Sequence, residues 1–316
     1  MAEPGGTGPG AVPPAASPAE RRFGFVAVLG APNAGKSTLV NRLVGAKVSI
    51  VSPKVQTTRS RVLGIAIHGA AQLVFVDTPG IFQPRRRLDR SMVQAAWRGA
   101  ADADLVLLLV DAAQKGIDGD SRAIIAGLKE SRRVADVALN KIDLIKPERL
   151  LTFASELNRI GSFGATFMIS ALTGDGVADL LDHLAARLPL GPWHYPEDQL
   201  SDMPQRLLAA ELTREQLFLQ LHRELPYALT VESESWEEFK DGSAKVNQVI
   251  FVRRDSQKAI VLGQGGQRIK AVREAAQAEL EAMLGRPVHL FLYVKVRENW
   301  QDDRERYREM GLDFDA

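Results

Sequence analysis

The chain has 316 residues, 45% hydrophobic and 25% charged, with a formal net charge of +1 at pH 7. That length allows two domains with full cores, and a balance so near neutral means that any basic surface must come from local segregation of charge. There are no cysteines, which excludes a disulfide framework, a thiolate nucleophile and a cysteine-ligated zinc site, and fits a reducing compartment.

Residues 1–20, MAEPGGTGPGAVPPAASPAE, are mostly Pro, Gly and Ala. They hold too few large apolar side chains to offset the cost of ordering and read as a disordered leader. The stretch lacks the apolar core of a signal peptide and the arginines of a mitochondrial transit sequence. No window approaches the roughly eighteen consecutive apolar residues of a membrane span, so a cytoplasmic protein is expected.

From 21 to 188 short apolar runs alternate with helical segments. The runs are FGFVAVLG, VLGIAIHG, AQLVFVDT, ADLVLLLVDA, ADVALNK and GATFMIS. Several are nearly continuous Val, Leu and Ile, as in strands covered on both faces. Between them KSTLVNRLVGA, LDRSMVQAAWRGA, GDSRAIIAGLKES and VADLLDHLAARL carry apolar residues three and four apart. The alternation predicts an α/β unit with a mostly parallel, doubly wound sheet. Residues 189–204 then bring Pro189, Pro192, Pro196 and Pro204 without periodicity, the composition of a stiff linker.

Residues 205–300 follow a different pattern. A long amphipathic helix, QRLLAAELTREQLFLQLHREL, precedes two strand-like runs, YALTVESESWEEF and AKVNQVIFVRR. The helical piece DSQKAIVL leads to GQGG, the helix QRIKAVREAAQAELEAML and a last strand, RPVHLFLYVKVRE. This predicts a smaller α+β domain, ending in an acidic tail over 301–316. Over 298–316, ENWQDDRERYREMGLDFDA, Trp300, Tyr307, Met310 and Leu312 form an apolar side of a short helix, suited to core packing.

Three motifs carry chemistry in the first unit. GAPNAGKST, from Gly30, Ala31, Pro32, Asn33, Ala34 and Gly35 through Lys36, Ser37 and Thr38, matches G-x-x-x-x-G-K-S/T between a strand and a helix. Such a loop turns its backbone N–H groups toward phosphates, and the helix behind adds its positive end. Lys36 would reach the β- and γ-phosphates and Ser37 would bind Mg²⁺. DTPG, from Asp77, Thr78 and Pro79 to Gly80, follows a strand; Asp77 can hold Mg²⁺ through water, and Gly80 can donate its N–H to the γ-phosphate. In NKID, from Asn140, Lys141 and Ile142 to Asp143, the Asp143 carboxylate can accept from the N1–H and 2-amino group of guanine. Adenine offers no such donor pair. Asn140 would brace the loop, Lys141 would lie along the ring, and Ala171 in Ser170-Ala171-Leu172 can offer its N–H to guanine O6. The order of the motifs points to GTP and GDP. Between the first two, Thr57 and Thr58 are candidates for a hydroxyl that meets Mg²⁺ only while the γ-phosphate is present.

GAPNAGKST, QTTR, DTPGIF, NKID and SAL together resemble the guanine-nucleotide motifs of the Era family of ribosome-assembly GTPases, which are related to translation factors. The resemblance favours Thr58 as the Mg²⁺ contact, and makes Lys36, Thr58 and Gly80 the expected catalytic set. It also implies a departure, since Ile81 stands where Ras-like proteins place a water-orienting glutamine. Asn33 stands where potassium-activated relatives carry an asparagine that helps hold K⁺; shaping the loop is the alternative.

Gly263, Gln264, Gly265 and Gly266 have the form of the G-x-x-G loop of a KH domain, where a nucleic-acid backbone can approach closely. The element order matches the bacterial type of that fold. Residues 240–297 hold 11 Lys and Arg against 5 Asp and Glu, a net of +6, while 298–316 hold 3 against 7, a net of −4. That segregation suits RNA phosphates. Gln264 and Gly265 stand where many KH loops carry a basic residue, and Arg268 and Lys270 are the candidates to supply that charge. ELPYALTVE, GQGGQRIK and VKVRENW extend the resemblance over nearly the whole chain and imply binding to the 3′ end of 16S rRNA in small (30S) subunit assembly. A monomer with no DNA partner is expected. Arg85, Arg86, Arg87 and Arg90 beside Ile81 could face RNA, an acidic protein surface or water, of which water is commonest. The rivals are an RNA-binding or chaperone module in which nucleotide is structural, and a GTPase of another substrate such as tRNA modification. The family's peripheral association with the inner membrane is implied by resemblance alone.

Overall fold

The computed structural model describes residues 20–54, 57–221 and 225–316; the expected leader, apart from residue 20, lies outside them. The first unit runs β1 (Arg22–Gly30), α1 (Lys36–Val44), β2 (Val62–His68), β3 (Ala71–Asp77), α2 (Arg87–Asp102), β4 (Leu105–Asp111), α3 (Gly119–Glu130), β5 (Ala135–Asn140), α4 (Pro147–Ile160), β6 (Phe163–Met168) and α5 (Val177–Arg187). The strands lie in the order β2-β3-β1-β4-β5-β6. Only β2, against β3, is antiparallel. Helices α1 and α5 cover one face of the sheet and α2, α3 and α4 the other, which is why LVLLLVD in β4 is buried along its whole length. The strand order reverses at β1, and the carboxyl ends of strands beside such a reversal form the ligand crevice of open α/β sheets. Gly30, Asp77, Asp111 and Asn140 all stand at those ends. Helix α4 is not among the segments picked from the sequence, although Leu150, Phe153 and Leu157 recur at helical spacing and are buried.

The expected linker is not a free spacer. Its Tyr195 and His194 N–H groups and the Tyr195 carbonyl all bond the Gln72 side chain. Leu200 O accepts from Ile65 N at 2.8 Å. The segment runs along the sheet edge, pinned by backbone groups of β2 and by a buried glutamine of β3.

The second unit contains α6 (Gln205–Gln220), β7 (Leu229–Glu238), β8 (Ala244–Val252), α7 (Asp255–Leu262), α8 (Gln267–Leu284), β9 (Val288–Val296) and α9 (Arg304–Glu309). The sheet order is β7-β8-β9, with β7 antiparallel and β9 parallel to β8. Helix α6 stops at Gln220, short of the expected 225. Trp300, Tyr307 and Leu312 are buried, but Tyr307 and Leu312 pack on Leu88 and Met92 of α2 in the first unit. Arg85, Arg86, Arg87 and Arg90 are all exposed, as expected, but two of them also meet the tail. The Arg87 guanidinium lies 4.3 Å from the centre of the Phe314 ring, Arg90 Nε donates to Ala316 O at 3.3 Å, and the nearby Arg98 pairs with Asp313 at 3.0 Å. The acidic tail, more than 200 positions away in sequence, is their partner.

Candidate functional site

The phosphate loop joins β1 to α1 and wraps a cavity of about 440 Å³ lined by Asn33, Lys36, Thr38, Thr58, Gly80 and Lys141, among others. At Gly35 φ is 100°, and a Cβ would stand 2.3 Å from Asn140 Nδ2, so only glycine fits. That close approach lets Asn140 Nδ2 donate to Ala34 O at 2.8 Å while its Oδ1 accepts from Ala171 N at 2.9 Å. One buried side chain thus ties the phosphate loop, the NKID turn and the Ser170-Ala171-Leu172 turn together. Lys141 Nζ pairs with Asp111 Oδ2 at 2.6 Å. Asp143 and Leu172 are exposed, while Ser170 and Ala171 are buried.

Lys36 is buried, and its Nζ donates to Gly30 O at 3.0 Å and Ala31 O at 3.1 Å. Burial pushes its pKa down to about 8, with the Asp77 carboxylate pulling the other way. Two neutral carbonyls satisfy its geometry without matching its charge, which leaves the ammonium ready for an anion.

Ser37, Thr58 and Asp77 come together as expected. Ser37 Oγ lies 2.7 Å from Asp77 Oδ2 and 2.9 Å from Thr58 Oγ1, and Thr58 Oγ1 is 3.4 Å from the same carboxylate oxygen. Thr57 instead donates to Lys54 O and meets Ser52. Thr78 Oγ1 bonds Val28 O at 2.8 Å, a strand-bracing role. Asn33 Nδ2 donates to Pro53 O at 3.0 Å, tying the loop to the segment before Thr58. Gly80 packs on Pro32, which a Cβ would meet at 3.0 Å. Ile81 is buried in the sheet core, so its side chain cannot orient a water.

A hydroxyl-and-carboxylate set suits Mg²⁺, a hard cation that takes oxygen ligands and keeps much of its water. The Asp77 carboxyl is fully buried, and its Oδ1 has no hydrogen-bond partner among the described residues. Burial raises its pKa, against the bonds from Ser49, Ser37 and Thr58 and the charge of Lys36. A buried acceptor left unmatched in this way is the feature that a hydrated cation would satisfy.

In the second unit, Gly263 closes α7 at φ 73°, where a Cβ would collide with Arg268 Cβ at 2.7 Å. Gln264 and Gly265 are exposed and Gly266 half-buried, ahead of α8. Arg268 Nη1 donates to Ile260 O at 2.8 Å, so its charge is tethered beside the loop. Lys270 is 70% exposed, 3.9 Å from Glu274.

The family model described as 50S ribosome-binding GTPase matches residues 25–141, and the KH domain model matches 224–301. GTPase Era of Rhizobium meliloti (strain 1021) is 63% identical over 308 residues, covering 98% of this chain and 96% of the relative. The chain belongs to the Era family of GTPases. Among solved Era structures, a variant from Aquifex aeolicus bound to GDP and AlF4⁻ superposes with a TM-score of 0.87 at 37% identity, covering 92% of this chain and 99% of that one. An Era complex with MgGDPNP and nucleotides 1506–1542 of 16S ribosomal RNA gives 0.87 at 38%, with the same coverage.

Several residues of this Era-family site lie outside the motifs, among them Ser49, Asp111 and Gln114. Ser49 Oγ donates to Asp77 Oδ2 at 2.6 Å, and Asp111 and Gln114 line the cavity. Asp111 was legible only as the end of an apolar strand.

Proposed function

We propose that this chain is a GTP-hydrolysing switch that grips the 3′ end of 16S rRNA and acts in 30S subunit assembly and rRNA maturation. We assign 21–188 to nucleotide, 189–204 to a strap along the sheet edge, 205–300 to RNA and 301–316 to a tail on α2. Lys36 and the loop amides hold the phosphates, Asp143 and Ala171 read guanine, and Ser37, Thr58 and Asp77 hold Mg²⁺. When bound, Mg²⁺ neutralises charge on the phosphate oxygens. Lys36 and the Gly80 N–H meet charge developing on the γ-phosphate, and water is excluded by the segment carrying Thr58. With Ile81 buried, unaided hydrolysis is slow, and the RNA or the ribosomal particle accelerates it. Gly263, Gln264, Gly265 and Gly266 admit the RNA backbone, with Arg268 and Lys270 beside it.

The observation that carries the switch is the double attachment of residues 47–54 and 57–59. Ser49 and Thr58 reach Asp77, while Ile50 is buried among Leu212, Val246 and Leu280 of the second unit. Arg59 donates to Pro226 O and Leu229 O. Lys47 pairs with Glu215 and Glu279, Lys54 donates to Phe218 O and Leu221 O, and Arg214 donates to Thr57 O. The segment that would sense the γ-phosphate is therefore the seam on which the RNA-binding unit sits. RNA affinity measured with a GTP analogue and with GDP tests this; equal affinities refute it. Turnover with a single-stranded copy of the 16S 3′ end, against a scrambled RNA, separates the switch from a module with structural nucleotide. We place the protein in the cytoplasm as a monomer. Attachment at the inner membrane rests on family resemblance, and no described helix is long and apolar enough to cross a membrane.

A further inference from the structure

Asp77 receives a third hydroxyl that belongs to none of the nucleotide motifs. Ser49 Oγ is 2.6 Å from Asp77 Oδ2, the shortest of the three approaches, against 2.7 Å for Ser37 and 3.4 Å for Thr58. Ser49 is buried at 3% exposure and does not line the nucleotide cavity. Its backbone is clamped from α1. Asn41 Nδ2 donates to Ser49 O at 2.7 Å, and Asn41 Oδ1 accepts from Ser49 N and Val48 N, both at 2.9 Å. An amide spending both its ends on one short stretch of chain fixes that stretch far better than a single bond would.

We infer that Ser49 is a positioning residue for Mg²⁺, acting through Asp77. Ser37 and Thr58 line the cavity, and each hydroxyl can offer a lone pair to a cation while its O–H still points at the carboxylate. Ser49 is not among the cavity-lining residues, so its O–H has only the carboxylate to serve. It anchors Oδ2 whatever the two cavity hydroxyls do, and leaves Oδ1, which has no hydrogen-bond partner among the described residues, as the carboxylate oxygen free to meet a hydrated ion. Groups that orient a metal-binding carboxylate in this way typically govern affinity by about 10- to 100-fold. Because Ile50 is buried in the second unit, the same clamp places that unit relative to the metal.

The inference rests on the metal role proposed for Asp77. The test follows release of mant-GMPPNP from the full-length chain across a Mg²⁺ titration, with EDTA as the metal-free limit. Ser49→Ala is expected to raise the half-effective Mg²⁺ concentration about tenfold while leaving release in EDTA within about twofold, and Ser49→Thr is expected to restore the wild-type midpoint. An unchanged midpoint in Ser49→Ala, or an equal acceleration in EDTA, overturns the inference; the second result would mark a merely structural serine. Asp77→Asn separates the two readings. If it shifts the midpoint and Ser49→Ala does not, the positioning role alone falls. If neither shifts it, the metal role of Asp77 falls too. Thermal melting of each nucleotide-free variant identifies any loss of fold.

Discussion

Lys36 makes GTP affinity a function of pH. Its pKa in the free protein is about 8, held down by burial, whereas a phosphate beside the ammonium restores the charged form. At pH 7 about a tenth of the free protein carries a neutral Lys36, and at pH 9 about nine-tenths does. Binding that requires the ammonium therefore weakens by about tenfold, or about 1.4 kcal/mol, across that interval, and takes up about half a proton at pH 8. The assay is titration with mant-GMPPNP from pH 6.5 to 9.5, with calorimetry in two buffers of different ionisation heat to count protons. Lys36→Arg keeps its charge throughout, so any titration of guanine itself persists in the variant and subtracts out. An affinity equally flat in both proteins between pH 7 and 9 would refute the argument. The stability of the nucleotide-free protein follows the same group with a definite sign. A lysine whose folded pKa is depressed binds its proton better in the unfolded chain, so stability rises from about pH 8 toward 10.5.

Three further outcomes test the seam, the base site and the RNA loop. Ile50→Ala removes a side chain buried between the two units, at a cost of about 2–5 kcal/mol. It should shrink the ratio of RNA affinities with GTP analogue and GDP by at least about tenfold, read by fluorescence anisotropy. Asp143→Asn replaces an acceptor pair with one donor and one acceptor. GTP affinity should fall by about 100-fold or more, and xanthosine triphosphate should bind better than GTP in competition. Lys270→Ala should weaken RNA binding about equally for specific and scrambled sequences and lower the slope of log affinity against log salt by about one, with GTP affinity unchanged.

What the sequence revealed divides by range of contact. The phosphate loop, DTPG and NKID are local: each is a few residues at a strand end, and the backbone geometry that makes them work is written in their glycines and in the order of strand and helix. Thr58 was chosen over Thr57 on resemblance, and the structure sets Thr58 beside Ser37. Ser49 left no trace, because its only distinction is a partner 28 positions away and an asparagine that clamps it. The arginines at 85–90 read as solvated and are exposed, but the contacts of Arg87 and Arg90 with the tail, more than 200 positions away, left no local signal. Helix α4 is a different failure, since its buried stripe was present in the sequence. The linker prolines were read as a stiff spacer, whereas the hydrogen bonds that hold the segment run to Gln72, a buried polar residue in an otherwise apolar strand.

The seam ties the two sites of the proposed switch through shared residues. Along residues 47–54 and 57–59 the chain alternates its allegiance: Ser49 and Thr58 turn to Asp77, while Ile50 and Arg59, each the next residue, turn to the second unit. A residue cannot move toward the metal without carrying its neighbour, since adjacent Cα atoms are fixed at about 3.8 Å. On the proposed switch, nucleotide and metal that bind the docked arrangement better than the undocked one tighten the seating of the second unit, and by linkage that seating tightens nucleotide by the same factor. Arg59 keeps the seating reversible. It is buried beside Arg214, and burial and that like charge hold its pKa down to about 9, with Glu211 pulling the other way. A seam built only of Ile50 and its apolar neighbours would favour the docked state in both nucleotide states. A buried guanidinium offsets part of that apolar gain: two carbonyls meet its Nη1 and Nη2, but its Nε has no hydrogen-bond partner among the described residues and a second guanidinium opposes it. On the proposed switch the γ-phosphate can then decide docking.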